Sequence, residues 1–191
     1  MPLVSFALAL LLQVTPSPSI LAIGDSMTAG YGVQPDSSYP AQLQGELTKR
    51  GYAYRVINQG VTGSTTVQTF SRLNRALGFQ PEIVIIQLGG NDAAQGIPRE
   101  VTRETLRKMI ARFKSGGARI YFAGGRFPYL DEVAMEEKIP VIPFLNGVAG
   151  HRELLIADGI HPNRDGYAVI VRNILEMIDP YLRERKSFNE N

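Results

Sequence analysis

From residue 19 onward, short apolar runs alternate with longer segments in which apolar residues recur every three or four positions. The short runs predict β-strands at 20–23, 54–58, 82–88, 119–123 and 140–144. The longer segments predict helices at 39–49, 67–77, 98–114, 131–138 and 163–185. Because strands and helices alternate, the strands are expected to be parallel and joined by right-handed crossovers. The pattern therefore predicts a three-layer α/β/α domain with a parallel sheet of about five strands.

Segment 82–88 (EIVIIQL) is the clearest of the predicted strands. It is rich in β-branched residues and nearly continuous in its apolar character, which indicates a central strand buried on both faces. Pro98 occupies the favoured first position of the helix that follows. In sheets of this type the reactive residues lie on loops at the carboxyl ends of the strands, so those loops are where chemistry is expected.

The first 18 residues differ from the rest of the chain. No charged side chain occurs before Asp25, and residues 3–14 form an apolar run. The run suits the core of a signal peptide and is too short to span a bilayer, but no basic side chain precedes it and no small-residue cleavage site follows. We expect 1–18 to be a signal peptide or a hydrophobic helix packed on the domain, and 19–191 to be a single domain. A signal peptide would make the protein periplasmic or secreted, and without one it would be cytoplasmic.

Composition narrows the function classes. The chain has 191 residues, of which 44% are hydrophobic and 20% charged, as in a globular domain with a real core. These values exclude disorder, collagen-like repeats and coiled coil as descriptions of the whole chain. The net charge of +2 is too small and too dispersed to indicate a nucleic-acid surface. The absence of cysteine excludes disulfides, thiolate zinc sites and cysteine nucleophiles.

Four segments rich in glycine and polar residues stand after predicted strands or before the last helix. They are 24–28 (GDSMT), 60–66 (GVTGSTT), 89–92 (GGND) and 158–163 (DGIHPN). Ser26 in the first segment is a candidate nucleophile, although a serine hydroxyl attacks at neutral pH only when a base removes its proton. Taken alone, a serine in this position is more often a helix N-cap.

The chain contains only two histidines, which limits the choice of base. His151 lies in a polar stretch and is expected to be a solvated surface residue. His161 stands at the entry of the last helix, with Asp158 three residues before it. At that spacing the carboxylate accepts a hydrogen bond from imidazole Nδ1–H and leaves Nε2 available for the serine proton. On these residues alone, a turn role for Asp158 with a passive His161 is an equal alternative.

Acyl transfer to a serine also needs donors for the negative oxygen of the tetrahedral intermediate. Asn91 offers a side-chain amide at a strand end, after two glycines that let the backbone come close. Gly63 offers a backbone N–H in a loop where a side chain would obstruct the substrate. For each residue alone, ordinary turn chemistry is the alternative, because glycine and asparagine are the commonest turn residues.

Together the four segments resemble the named blocks of the SGNH (GDSL) hydrolase superfamily, in the family's order. The matching segments are GDSMTAGYG with Ser26, VTGSTT with Gly63, LGGND with Asn91, and DGIHPN with Asp158 and His161. The resemblance extends over residues 20–178 and is strongest to the small bacterial arylesterases, acyl-CoA thioesterases and lysophospholipases. It implies a flavodoxin-like fold and a serine esterase.

The resemblance also implies roles for particular residues. Ser26 would be the nucleophile, His161 the base and Asp158 the group that orients the base. The oxyanion hole would consist of the backbone N–H groups of Ser26 and Gly63 and the side chain of Asn91. These roles require no metal ion and no organic cofactor.

Further expectations concern support and partners. In the family, the residue corresponding to Asp25 helps to hold the nucleophile loop. The expected partner is a small ester substrate, with no nucleic acid and no stable membrane span, and the sequence leaves the oligomeric state open.

Two features depart from the family pattern. Ser64 stands where relatives often carry aspartate, and the segment 124–138 is compact where relatives usually carry a long loop and helix over the acyl site. We therefore expect a shallow acyl pocket and a preference for short-chain or aryl esters over the thioesterase and lysophospholipase substrates. The residues expected to line this pocket are Phe127, Pro128, Tyr129 and Leu130.

Three other functions are weaker alternatives. Aspartate, asparagine and histidine at strand ends could ligate metals for phosphoester hydrolysis, but the chain has few such residues and no HExxH pair. The α/β-hydrolase route expects a G-x-S-x-G elbow, and segment 24–28 lacks its last glycine. A non-catalytic flavodoxin-like binding module would not need Asp158 and His161 at this spacing. The sequence also has no nucleotide-binding motif to support such a module.

Overall fold

The structure, a computed structural model, describes residues 17–189. Its strands are β1 (Ser19–Gly24), β2 (Arg55–Gly60), β3 (Ile83–Gln87), β4 (Arg119–Gly124) and β5 (Val141–Pro143). All pairings are parallel, and the order across the sheet is β2-β1-β3-β4-β5. The predicted α/β class and parallel sheet of five strands are confirmed. The predicted signal peptide or hydrophobic helix lies, apart from its last two residues, outside the described part of the chain.

Helices connect the strands and cover both faces of the sheet. They are α1 (Ser26–Ala29), α2 (Tyr39–Lys49), α3 (Thr66–Ser71), α4 (Leu73–Leu77), α5 (Gly90–Ala94), α6 (Arg99–Ser115), α7 (Pro128–Glu136) and α8 (Arg164–Asn189). Single 3₁₀ turns occur at Pro35–Ser37 and Arg152–Leu154. Within residues 17–189, no helix is both long enough and apolar enough to cross a bilayer.

Some predicted boundaries need correction. The helix predicted at 67–77 is two short helices, α3 and α4, separated at Arg72, whose guanidinium folds back to the Ser64 hydroxyl at 2.8 Å. Helix α8 runs through Pro180 to Asn189, beyond the predicted end at 185. The apolar stripe continues past the proline, because Leu182 is fully buried, and this packing outweighs the backbone hydrogen bond that the proline ring removes.

The central strands β1 and β3 are buried along their whole length. Successive side chains of a strand point to opposite faces, so Ile20 and Ala22 pack on one side of the sheet and Leu21 and Ile23 on the other. The first core contains apolar residues of α2 and α8, and the second contains those of α6 and α7. This two-sided packing holds the carboxyl ends of β1 and β3 in place beneath the candidate site.

Candidate active site

The carboxyl ends of β2, β1 and β3 lie side by side. Gly24, the last residue of β1, pairs with the last residues of both neighbouring strands. Because β1 lies between β2 and β3, the loop that carries Ser26 leaves the sheet between the loops that carry Gly63 and Asn91. Three of the four predicted segments therefore meet at one edge of the sheet, as parallel topology requires.

Ser26 is the first residue of α1, which begins directly after β1. Asp25, only 4% exposed, caps this helix by accepting a hydrogen bond from the Met27 backbone N–H at 3.1 Å. The N-cap role that the sequence left open for Ser26 thus belongs to Asp25, and the Ser26 hydroxyl is available for another partner. The residue before them must be glycine, because a Cβ on Gly24 would lie 2.5 Å from the backbone oxygen of Gln87 and 2.1 Å from Oγ1 of Thr28.

Ser26, His161 and Asp158 form one continuous chain of hydrogen bonds. Oγ of Ser26 lies 2.8 Å from Nε2 of His161, although the two residues are 135 positions apart. Nδ1 of the same imidazole lies 2.6 Å from Oδ2 of Asp158. An ionised carboxylate only accepts hydrogen bonds, so this contact places a proton on Nδ1 and leaves Nε2 to accept from the serine hydroxyl.

Asp158 is held as an anion by its own loop. Its Oδ1 accepts hydrogen bonds from the backbone N–H groups of Ile160 and His161 at 2.8 and 3.0 Å. These two donors, together with the imidazole, lower the pKa of Asp158 to about 2. The carboxylate therefore stays ionised at neutral and mildly acidic pH.

Two further contacts hold His161, one at its backbone and one at its ring. The backbone carbonyl of His161 accepts a hydrogen bond from the Ile156 N–H at 2.9 Å. The ring of Tyr31 stands 4.9 Å from the imidazole, centre to centre, at an angle of 51°. His151, in contrast, is exposed, and its Nδ1 lies 3.1 Å from a carboxylate oxygen of Glu153, as predicted for a surface histidine.

The loops that carry Gly63 and Asn91 are joined to each other. Nδ2 of Asn91 donates a hydrogen bond to the backbone carbonyl of Ser64 at 3.1 Å, which uses one of its two protons. Gly63 has a φ of +79°, and nothing lies within 4 Å of the position that a Cβ would take. This backbone conformation favours glycine at residue 63, which adds a second reason to the predicted one, that a side chain there would obstruct the substrate.

Ser64, which stands where relatives often carry aspartate, is firmly held. Its side chain is buried, and its hydroxyl accepts a hydrogen bond from the Arg72 guanidinium at 2.8 Å and contacts Oγ1 of Thr69 at 3.1 Å. The same Arg72 that separates α3 from α4 therefore supports the loop beside Gly63.

Asp92 supports both loops, although the sequence analysis did not single it out. It is fully buried, and its carboxylate accepts hydrogen bonds from the backbone N–H of Thr66 at 3.0 Å and from the hydroxyl groups of Thr66 and Thr102 at 2.5 and 3.2 Å. It thereby ties the residue after Asn91 to the start of α3 and to α6. The sequence signal that could have identified Asp92 is its position in GGND, where it is the one ionisable residue.

A second buried network lies below Ser26. Burial raises the pKa of Asp25, and this is partly opposed by hydrogen bonds from Met27 and Gln87 and by the charges of His161 and Arg126. The hydroxyl of Thr28 donates to Oε1 of Gln87 at 3.0 Å. These contacts connect the end of β1 to the end of β3 beneath the nucleophile loop.

A cavity of about 240 Å³ opens beside Ser26, Asn91 and His161. Its apolar lining comes from Met27, Leu88, Ala94, Phe122, Ala123, Phe127, Phe144, Leu145 and Ile160. Of the four residues expected to line the acyl pocket, the structure places only Phe127 there.

The other three expected pocket residues lie elsewhere. Leu130 is 1% exposed and belongs to the core beneath α7, and Pro128 opens that helix. Tyr129 packs against the Phe127 ring and lies under the guanidinium of Arg99. The physical reason is that α7 begins at Pro128 rather than at the predicted residue 131, so these residues belong to a helix packed on the sheet.

Fold and site together define a class of protein. A parallel α/β/α sheet that presents a Ser-His-Asp chain and a cavity at its carboxyl edge is the arrangement of a serine hydrolase. Within the part of the chain that the structure describes, no three His, Asp or Glu side chains are grouped closely enough to hold a metal ion.

Comparison with known proteins agrees with this class. The model of the GDSL-like Lipase/Acylhydrolase family matches residues 22–169. The Esterase TesA of Pseudomonas aeruginosa is 32% identical over 191 residues, which cover 92% of this chain and 95% of that protein. An Arylesterase of Vibrio mimicus is 30% identical over 181 residues, covering 87% and 90%. A crystal structure of TesA superposes with a TM-score of 0.79 at 30% identity, covering 85% of this chain and 98% of its own.

The chain belongs to the GDSL-like lipase/acylhydrolase family. The resemblance seen in the four segments is thereby confirmed, and the protein is a serine-dependent ester hydrolase of this family.

Proposed function

We propose that the protein hydrolyses short-chain or aryl carboxylic esters through an acyl-enzyme formed on Ser26. The observation that carries this proposal is the unbroken chain of hydrogen bonds from Ser26 through His161 to Asp158, at the mouth of a small apolar cavity. The names of the relatives, an esterase and an arylesterase, support the ester class.

In the first half-reaction, Nε2 of His161 takes the proton of the Ser26 hydroxyl as Oγ bonds to the ester carbonyl carbon. The carbonyl π electrons move onto oxygen, and Asp158 stabilises the imidazolium through Nδ1–H. The C–O bond to the alcohol then breaks, and Nε2 returns the proton to the leaving alcohol. In the second half-reaction, water takes the place of serine as the nucleophile, and Ser26 leaves as its hydroxyl.

The developing oxyanion needs donors that are in place before the reaction. The backbone N–H groups of Ser26 and Gly63 and the remaining amide proton of Asn91 are the proposed donors, because their loops flank the nucleophile. One such donor contributes about 3–4 kcal/mol to transition-state stabilisation. Asp92 holds two of these loops together and so keeps the donors oriented.

The cavity size supports short or aryl acyl groups. A dry cavity of about 150 Å³ accommodates a benzene molecule, and the cavity beside Ser26 has about 240 Å³. An acyl chain much longer than this space would extend over the compact segment between β4 and α7. A thioester of the same acyl group would meet the same serine, so a thioesterase activity is the alternative within the family.

The test is a series of 4-nitrophenyl esters from acetate to decanoate beside one short and one long acyl-CoA. We expect kcat/KM to be highest for the short esters and to be lost in Ser26→Ala. Ser71→Ala is the matched control, because the Ser71 hydroxyl is exposed and binds only the Gln68 carbonyl. Hydrolysis retained by Ser26→Ala would contradict the mechanism, and higher kcat/KM for decanoate or acyl-CoA would contradict the substrate class.

A further inference from the structure

Arg126 lines the cavity beside the nucleophile with an exposed side chain, and its guanidinium makes no hydrogen bond or ion pair to another residue within 17–189. Its contact is with the ring of Phe127, over which the guanidinium lies at 5.6 Å. No other lysine or arginine of the described chain lines this cavity. A guanidinium carries five N–H donors in a planar fork, so Arg126 presents unused donors at an ester-binding site.

The backbone that carries Arg126 is held in place. Both carboxylate oxygens of Asp131 accept hydrogen bonds from the Gly125 N–H, at 3.0 and 3.1 Å. This contact ties the turn after β4 to the first turns of α7. The guanidinium therefore extends from a fixed turn, and a ligand that binds it does not have to order the loop.

The buried carboxyl group of Asp25 does not satisfy the donors of Arg126. The positive charge acts on Asp25, but the hydrogen bonds to that carboxylate come from Met27 and Gln87. Asp158, the second carboxylate of the site, binds Nδ1 of His161, on the other side of the ring from Ser26. Its remaining hydrogen bonds come from backbone N–H groups of its own loop. The donors of Arg126 are thus left for a group that arrives with the substrate.

Strand geometry indicates where on the substrate that group would be. Neighbouring strands are about 4.8 Å apart, so the end of β4, which carries the Arg126 turn, lies about 10 Å from the end of β1, which carries Ser26. The leaving alcohol must stand beside His161, which protonates it. The acyl chain then occupies the cavity that runs towards β4, and its far end approaches Arg126.

We propose that Arg126 is a specificity-determining residue that binds a carboxylate at the far end of a short acyl chain. The preferred substrates are then monoesters of short dicarboxylic acids, of about four or five carbons, which the distance between the two strand ends accommodates. This inference rests on the proposed esterase function and names the acyl class that the same site selects. Binding of the carboxylate by the guanidinium is a charge-assisted, bidentate interaction.

The test compares two esters that differ only at the end of the acyl chain, ethyl pentanoate and the monoethyl ester of glutaric acid, with acid release followed by titration. The readout is the ratio of their kcat/KM values, because a general effect of a substitution cancels in it. We expect Arg126→Gln to lower the ratio of anionic to neutral ester about tenfold, the effect of one charge-assisted hydrogen bond. Arg126→Lys should retain part of the preference, since it keeps the charge but loses the fork.

The matched control is Arg55→Gln, because Arg55 is an exposed arginine of β2 that does not line the cavity. It should leave the ratio as in the wild type. An equal ratio in wild type and Arg126→Gln would overturn the proposal. It would also be overturned if the Arg126-dependent preference appeared only with the carboxylate on the leaving group, tested with the pentanoyl ester of 4-hydroxybenzoate against that of its methyl ester.

Failure of this inference is distinguishable from failure of the proposed function. If the wild type hydrolyses ethyl pentanoate and Ser26→Ala does not, the esterase mechanism stands whatever the ratio is. If neither ester is hydrolysed, the result contradicts the proposed esterase function itself.

Discussion

The phenolic hydroxyl of Tyr167 donates a hydrogen bond to the backbone carbonyl of Met27 at 2.9 Å. Tyr167 is fully buried on α8, shortly after His161, and Met27 directly follows Ser26 in α1. One buried contact therefore joins the element that carries the nucleophile to the element that follows the base. The contact thereby helps to hold Ser26 Oγ at 2.8 Å from His161 Nε2.

Tyr167→Phe should destabilise the fold and slow the reaction together. The substitution leaves the Met27 carbonyl without its buried partner, which costs about 1–3 kcal/mol in the free energy of unfolding. It also loosens the alignment of α1 with α8, so we expect kcat to fall several-fold. Chemical denaturation and steady-state kinetics on a short ester measure the two effects.

Tyr181→Phe is the control for Tyr167→Phe. The Tyr181 hydroxyl bonds to Glu82, before β3 and at the opposite edge of the sheet from Ser26. It should alter stability without altering kcat. If Tyr167→Phe kept the wild-type kcat while losing stability, the bond would have no part in alignment.

Asp158→Asn should reduce kcat by about 10⁴-fold, as for the corresponding change in other Ser-His-Asp enzymes. The amide cannot hold a proton on Nδ1 of His161 as a carboxylate does, so Nε2 is no longer reliably available as the base. Asp165→Asn, a few residues along the chain at the start of α8, removes the same charge and serves as the control. A loss of less than tenfold would argue against Asp158 as the orienting group.

Asp158 should stay ionised throughout the mildly acidic range in which the pH dependence of activity is measured. Because the pKa of Asp158 is lowered from 3.8 to about 2 in the folded protein, its ionised form stabilises the fold above pH 3.8. That contribution is lost only as the pH falls through about 2. A fall of kcat/KM at mildly acidic pH, the acid limb of the profile, should therefore not come from protonation of Asp158.

The control for the acid limb is Asp25→Asn. This change keeps a side chain able to cap α1 and removes the other carboxyl of the site, whose pKa burial raises. The limb should persist in this variant. Loss of the limb in Asp25→Asn would show that the Asp25 carboxyl gives rise to it.

Asn91→Ala should lower kcat by about 10²–10³-fold with a small change in KM, because an oxyanion donor acts mainly in the transition state. Asn74→Ala is the matched control, since Asn74 bonds to Arg112 on the surface of α4 and α6. Equal losses in the two variants would show that Asn91 acts only through stability.

Asp92→Asn should lower both stability and kcat. The amide has one acceptor oxygen where the carboxylate has two, so it cannot accept hydrogen bonds from the Thr66 N–H and from both the Thr66 and Thr102 hydroxyl groups, and the loss costs about 1–3 kcal/mol. The loops with Gly63 and Asn91 would then be less well oriented. A variant that loses stability but keeps kcat at a temperature where it is folded would show that Asp92 has no positioning role.

The local pattern of apolar and polar residues was enough to predict the sheet and most of the helices. Alternation of apolar runs with helical periodicity predicted the parallel sheet, because both signals reside in neighbouring residues. The same reasoning was wrong for the pocket. Pro128, Tyr129 and Leu130 belong to a helix that begins three residues before the predicted start, and the packing of this helix buries Leu130 in the core.

The sequence by itself determined the architecture, the two histidines available as bases and the placement of Ser26, Asn91 and His161 at element ends, because each depends on residue type and short-range spacing. Only the tertiary structure decided which of its alternative roles each residue has. Asp25 rather than Ser26 caps α1, and Asp92 clamps two loops that are remote along the chain. Such contacts arise from the register of parallel strands and from the packing of helices across them. Neither the register nor the packing can be predicted from the sequence of a single segment.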